Sequence, residues 1–346
     1  MMRHAARTLL ATAGAVAAGA ALAATPSQAV QGVTAGRLAG ADRYATAAAV
    51  AEQTFPQGAA DAIVVSGAGF ADALSASYLA GRLAAPVLLT DPSQLPSATS
   101  AALGKLGVGT VDVVGGTAAV SDNVVSSLEA AGYRVARLSG PDRYGTAATV
   151  AQVYPSSTVG SLGQKGATAI VASGLVAADA LAGSPISYAQ AFPTLLTDPS
   201  TLPAATRSAL SNLGIQQVLL LGGSSAVSAA VAGQLAAMNI TVQRVGGADR
   251  TQTATMLADL ELGQLGWAAT HVQLARGDGF ADALAGGTHA GQEKAAVLLT
   301  GDPNTLGSYT TAWLNGHRST ITSIHVLGGT AAVSDQTVSA AQQAAS

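Results

Sequence analysis

Six arginines stand in one recurring pattern. The motif Arg-x-x-Gly-x-Asp-Arg occurs three times, framed by Arg37, Asp42 and Arg43, by Arg137, Asp142 and Arg143, and by Arg244, Asp249 and Arg250, at spacings of 100 and 107 residues. Guanidinium groups reused in this way can offer a fork of donors to phosphate or carboxylate groups. The competing reading is structural, with the arginines paired to Asp42, Asp142 and Asp249 or to carbonyls between repeats, and it is favoured for most of the six. Only 10% of the chain is charged, so arginines repeated at one place imply a common task.

The carboxylates form two further sets. Asp72, Asp179 and Asp282 follow an apolar run and a loop, whereas Asp91, Asp198 and Asp302 each precede a proline. A metal cluster or acid–base pair is conceivable from such residues. Helix capping and turn formation account for them more simply. Gly67-Ala-Gly69 imitates part of a dinucleotide fingerprint, but Asp72 would face a pyrophosphate with negative charge and the second repeat has Val176 in place of Gly69, so a nucleotide site is rejected. The pairs Gly115-Gly116, Gly222-Gly223 and Gly328-Gly329 could present backbone N–H groups to an anion or simply form tight turns. His271, His289, His317 and His325 occur in the third repeat alone, and their spacing fits no common zinc pattern. The expectation is therefore packed or edge histidines for His271 and His325, no metal ligands and no cofactor. The chain has no cysteine, which removes thiol catalysis and thiolate metal sites.

The elements that must position these residues read as a cycle. In the first repeat the apolar runs at 62–66, 86–90 and 111–114, together with 33–38, are strand candidates, and 44–52, 70–79, 96–106 and the segment from Ser121 to Leu128 are helix candidates. Asp42 is placed to cap the first helix and Ser121 the last. The same order returns with strands at 169–172, 193–197 and 218–221, and again at 271–274, 297–300 and 324–327. Short apolar strands alternating with helices predict an α/β fold, with each repeat a small, mostly parallel sheet flanked by helices. A unit of about 100 residues is long enough to bury its own core. Boundaries near 137 and 244 divide the chain into modules 30–136, 137–243 and 244–346, with no Pro/Ser-rich linker between them.

The N-terminus carries an export pattern. Arg3, His4 and Arg7 precede an uncharged Ala/Leu/Gly-rich stretch at 8–24, and Ser27-Gln28-Ala29 supplies small residues for cleavage. Residues 1–29 are expected to be a signal peptide, with a mature start at Val30. Without Arg3 and Arg7, 14 Lys+Arg face 19 Asp+Glu. That balance makes nucleic acid a poor partner, and no membrane association is expected after signal cleavage.

Four blocks recur in fixed order: Arg-x-x-Gly-x-Asp-Arg-Tyr-x-Thr-Ala, Ser-Gly-x-x-x-Ala-Asp-Ala-Leu, Pro-Val-Leu-Leu-Thr-Asp-Pro and Gly-Gly-Thr-Ala-Ala-Val-Ser. They resemble the type 2 cell wall-binding repeat of Gram-positive surface proteins, over residues 33–346. The resemblance implies three modules packed with pseudo-threefold symmetry. It also implies a non-catalytic, secreted and wall-associated protein whose partner is an anionic secondary wall polymer, teichoic-acid-like or other. The segments Pro86-Val87-Leu88-Leu89 and Pro193, Leu195 and Leu196 resemble one implicated in polymer binding, and they join the six arginines as ligand-binding candidates. The third repeat departs most, with Thr251 for Tyr44 and Tyr144, Ala296 for Pro86 and Pro193, and Gly301 inserted, so the weakest binding is expected of it. The second has Ser228-Ala229 where the others have Ser-Asp. The rival classes are a wall-glycan or phosphoester hydrolase, for which no Gly-x-Ser-x-Gly elbow is present, and a surface scaffold or adhesin.

Overall fold

The computed structural model describes residues 32–346. The signal-peptide segment expected at 1–29 and the start at Val30 lie outside the described residues. Twelve parallel strands follow one another as β1 (Thr34–Leu38), β2 (Asp61–Ser66), β3 (Val87–Thr90), β4 (Thr110–Val114), β5 (Arg134–Leu138), β6 (Thr168–Ser173), β7 (Thr194–Thr197), β8 (Gln217–Leu221), β9 (Thr241–Val245), β10 (His271–Arg276), β11 (Ala296–Thr300) and β12 (Ser323–Leu327). They form three four-stranded sheets with the orders β3-β2-β4-β5, β7-β6-β8-β9 and β11-β10-β12-β1. Helices connect the strands, as expected for parallel crossovers.

The sheets are out of step with the sequence repeat. The strand that opens a repeat and carries its first arginine completes the sheet of the repeat before it. Thus Arg137 on β5 lies opposite Val113 on β4, and Arg244 on β9 lies opposite Leu220 on β8. The divisions at 136/137 and 243/244 fall inside β5 and β9. For the third sheet the missing strand comes from the other end of the chain, where β1 pairs with β12 and places Arg37 opposite Val326. The three repeats therefore close into a ring with pseudo-threefold symmetry.

Strand alternation sorts side chains into two cores. In the first sheet Ile63, Val65, Val87, Leu89 and Val114 join a central cluster shared by all three repeats, while Ala62, Val64, Leu88, Val111 and Val113 face a private core on the outer side. Both faces are covered, which is why these strands read as unbroken apolar runs. The central layer is built from the helices Ala71–Leu83, Ser184–Gln190 and Ala281–Glu293, which pack on one another. Small residues let them approach. A β-carbon on Gly81 would strike the backbone carbonyl of Tyr188, one on Gly287 would sit 2.5 Å from Ser184 Cβ, and one on Gly291 would sit 2.7 Å from Tyr188 Cβ.

One group in this framework opposes folding. Glu261, in the helix Arg250–Gly263, is fully buried, and both of its carboxylate oxygens lack a hydrogen-bond partner. Burial alone pushes its pKa well above the ordinary glutamate range. Its counterparts in the other repeats, by position after the motif, are Thr54 and Tyr154.

Two outcomes follow. Gly81→Ala should cost about 1–3 kcal/mol in chemical denaturation, because backbone rather than a flexible side chain must give way. For Glu261 the folded state holds the proton more tightly than the unfolded state. Its contribution is intact below the unfolded glutamate pKa and is lost as pH rises through the raised folded value. Glu261→Gln should therefore flatten the fall in stability between mildly acidic and mildly alkaline buffer, and the two melting curves compared at each pH will show it.

Candidate functional site

Each joint between repeats opens a cleft at the C-terminal ends of the strands, the usual ligand position in parallel α/β sheets. The first joint is lined by Gly69, Asp72, Gly116, Arg143 and Thr146, the second by Val176, Asp179, Gly223, Arg250 and Thr253, and the third by Gly279, Asp282, Gly329, Arg43 and Thr46. Their volumes are about 420, 220 and 470 Å³ respectively. The middle cleft is the narrow one, and Val176 stands there where the others have Gly69 and Gly279.

The repeated motif builds these joints residue by residue. Asp42, Asp142 and Asp249 cap the helices that begin at Arg43, Arg143 and Arg250, accepting the N–H of Ala45 at 2.8 Å, of Gly145 at 2.8 Å and of Thr251 at 2.8 Å. The motif glycines Gly40, Gly140 and Gly247 donate their N–H groups to the hydroxyls of Thr46, Thr146 and Thr253, each at 3.1 Å. Thr146 and Thr253 in turn line the clefts together with Asp72 and Asp179 of the preceding repeat.

Those carboxyls correct one expectation. Asp72, Asp179 and Asp282 do not cap by side chain. The N-cap positions are Phe70, Ala177 and Phe280, none of which makes a side-chain cap bond. The aspartates sit two residues further on, in the first helical turn, and line the clefts. Burial raises all three pKa values, opposed at Asp72 by Thr146 and Arg143, at Asp179 by Thr253 and Arg250, and at Asp282 by Arg276 and Arg43. A carboxyl oxygen also occupies the space a β-carbon would need at the first glycine of each Gly-Gly pair, 2.9 Å away at Gly115 and 2.7 Å at Gly222. These glycines have φ of 122° and 104°, so the first position of the pair favours glycine on both counts. Asp91, Asp198 and Asp302, by contrast, form the expected turns, accepting from the backbone N–H of Ser93, Ser200 and Asn304.

The six arginines divide into two kinds. Arg37, Arg137 and Arg244 are half-buried staples whose Nη1 donates to the carbonyls of Gly328, Gly115 and Gly222, each at 2.8 Å. Arg137 also donates to Val120 O at 2.8 Å. Arg37 and Arg137 add ion pairs to Asp335 and Asp122 at 3.0 and 3.1 Å. Arg244 meets Ser228 O instead, because Ala229 replaces the acid. Arg43, Arg143 and Arg250 are exposed. They donate Nη1 to the carbonyls of Gly67, Gly174 and Gly277 and line the clefts.

The apolar candidates are placed elsewhere. Pro86, Val87, Leu88 and Leu89 are buried in and beside β3, and Pro193, Leu195 and Leu196 in and beside β7. Val87, Leu89 and Leu196 pack into the central core and Leu88 and Leu195 into private cores, away from solvent. The histidines give a second surprise. His289 and His325 come within 3.2 Å of each other, with Glu293 beside both. A signal for this lay in helix spacing, since His289 and Glu293 are one turn apart; the strand partner His325 had none.

Arg137→Ala should cost about 1.5–3 kcal/mol, since two buried carbonyls lose a charged donor. Asp122→Ala should cost under about 0.5 kcal/mol, because Asp122 is 79% exposed and its ion pair is screened. Urea denaturation of the two variants measures the difference.

Comparison with known proteins agrees with this architecture. The profile of cell wall binding domain 2 (CWB2) matches residues 37–125, 137–232 and 244–338. The chain is 30% identical over 268 residues to the N-acetylmuramoyl-L-alanine amidase LytC of Bacillus subtilis (strain 168), covering 78% of this chain and 50% of that protein. It is 32% identical over 264 residues to the amidase enhancer of the same organism, covering 76% of this chain and 34% of that protein. The chain thus spans half or less of the length of these curated relatives. Among solved structures, Cwp6 from Clostridium difficile matches with a TM-score of 0.77 at 25% identity, over 90% of this chain and 48% of that one. The matched segments begin at Arg37, Arg137 and Arg244, the staples on the strands that repeats share, and the chain belongs to the cell wall binding domain 2 family, of which it carries three tandem copies.

Proposed function

We propose that this protein is a secreted, non-catalytic attachment module that holds the bacterial wall by binding an anionic secondary polymer in the clefts between repeats. The observation that carries the reading is the recurrence of one cleft at all three joints, each presenting an exposed arginine whose Nη1 is fixed by a glycine carbonyl. A guanidinium held in place loses little freedom when its remaining edge meets a phosphate or carboxylate. The helices Ala71–Leu83 and Ala281–Glu293 begin in the wide clefts without side-chain caps, which adds backbone donors to the same spot. Three modest sites on one repeating polymer gain through effective concentration. A binding role is favoured over hydrolysis because the cleft aspartates fill the space beside the Gly-Gly turns and stand among the threonines and arginines of the next repeat as parts of the joint.

The two wide clefts, with Arg143 and Arg43, are assigned the larger share of binding. The narrow one with Arg250 contributes less, and Thr251 in place of tyrosine lies on its helix.

Co-sedimentation with purified walls, before and after acid extraction of phosphate-linked polymers, tests the proposal. Binding should vanish on extraction and fall with added salt. Arg43→Ala and Arg143→Ala should each weaken it about tenfold or more, and Arg250→Ala less. Attachment should strengthen as pH falls through the mildly acidic range, because burial already favours protonated Asp72 and Asp282 and a nearby anion favours it further. Retention on extracted walls would redirect the reading to peptidoglycan.

A further inference from the structure

The third repeat replaces part of its inner apolar face with a polar cluster. Gln273 occupies the position of Ile63 and Ile170, as the pairing of β10 with β11, β2 with β3 and β6 with β7 shows. His325 likewise stands where β4 has Asp112 and β8 has Leu219. On the central helix, His289 and Glu293 stand where the first repeat has Leu79 and Leu83 and the second has Ile186 and Gln190. A buried polar group is costly unless it is partnered, so the burial of Gln273 and His289 where both other repeats have Ile or Leu, beside the part-buried His325 and the exposed Glu293, needs a reason.

The geometry is that of a ligand set. His289 Nε2 lies 3.2 Å from His325 Nδ1 and 3.6 Å from a Glu293 oxygen, and His325 Nδ1 lies 3.3 Å from the other Glu293 oxygen. Zinc bonds of about 2.0–2.1 Å require tetrahedral ligand edges of about 3.3 Å. The tautomer also fits. Thr54 gives its hydroxyl proton to Val50 O at 2.6 Å, so its oxygen accepts from His289 Nδ1–H at 3.1 Å. That leaves the Nε2 lone pair of His289 directed at the cluster, with the ring oriented by the hydrogen bond it donates to Thr54, as zinc histidines usually are by their other nitrogen. Burial lowers the pKa of His289, which favours the neutral form a ligand needs. Gln273 Nε2 donates to Glu293 at 3.0 Å and steadies the carboxylate.

We propose that His289, His325 and Glu293 bind one divalent transition-metal ion, of which zinc is the expected occupant, at the joint that closes the ring. Two imidazoles and one carboxylate favour zinc over the hard cations magnesium and calcium. A fourth position is open to solvent, because His289 and Glu293 also line a cavity with Thr54, Phe55, Pro56 and Gln292. The site joins three elements from opposite ends of the chain: the helix Arg43–Thr54 through Thr54, the central helix Ala281–Glu293, and β12, on which β1 closes the third sheet. Bound metal would therefore hold the central helix against β12 within the third repeat, and would fix the His289 ring whose other nitrogen meets Thr54 of the first. It competes with a proton on His325, whose pKa is raised by its hydrogen bond to Glu293 and then by that carboxylate's charge, and His271 lies close enough to act on Glu293 as well.

The test is competition for Zn2+ between a chromophoric chelator and untagged, chelator-treated protein, with thermal melting alongside. One ion per chain with micromolar or tighter affinity, and a higher melting temperature with zinc, are expected. His289→Leu and Glu293→Gln use the residues that the other repeats carry as Leu79 and Gln190, so both should fold, as circular dichroism will report. Each should weaken binding at least about tenfold, while His317→Ala should leave it unchanged. Absence of stoichiometric binding, or equal affinity in the two folded variants, overturns the proposal.

Discussion

No repeat of this protein completes its own sheet. The edge strand comes from the next repeat, and for the third sheet it comes from the start of the described chain, where β1 adds to β12. Everything else depends on that exchange. It brings the first arginine of each motif beside the Gly-Gly turn of the preceding repeat, and it carries the rest of the motif across the joint, so that Arg143 and Thr146 face Asp72 and Arg250 and Thr253 face Asp179. A parallel strand at an edge leaves half its backbone groups unpaired. Passing it to a neighbour's sheet ties the repeats together with backbone hydrogen bonds, which do not depend on side-chain identity. The motif then secures the exchange with side chains.

The charges are few, and the structure shows why they recur. Arg37, Arg137 and Arg244 donate to carbonyls at the strand ends, where an unpaired acceptor would be costly. The exposed carboxylates beside Arg37 and Arg137 add little, which explains how the second repeat tolerates Ala229 in that place. Arg43, Arg143 and Arg250 spend one nitrogen on a glycine carbonyl and turn toward the clefts. One motif thus serves cohesion and presents a cationic edge, and the same joint that makes the ring makes the clefts.

The symmetry is broken where the chain ends meet. The first and second repeats fill the inner helix positions with Leu79 and Ile186 against Ile63 and Ile170, all buried in the central cluster. The third has His289 and Gln273 there, and Thr54 of the first repeat reaches over to His289. The first and second joints are spanned by continuous chain. The third is closed without covalent linkage between its partners, so a polar cluster at that joint falls where added cohesion has the largest effect.

The sequence by itself determined the three-part repeat, the α/β class, the capping role of Asp42, Asp142 and Asp249 and the turns at Asp91, Asp198 and Asp302. Each is written in local spacing and in the chemistry of a short side chain beside its own backbone. Only the tertiary structure decided which of the six arginines are staples and which face the clefts, because their partners lie up to 298 residues away. It also enclosed Pro86 to Leu89 in the core and turned Asp72 from a cap into a cleft residue, since burial depends on what packs over an element rather than on the element itself. The meeting of His289 with His325 across 36 residues was invisible for the same reason. Periodicity reports which face of a helix or strand is apolar, and only the packing of the ring reports what that face meets.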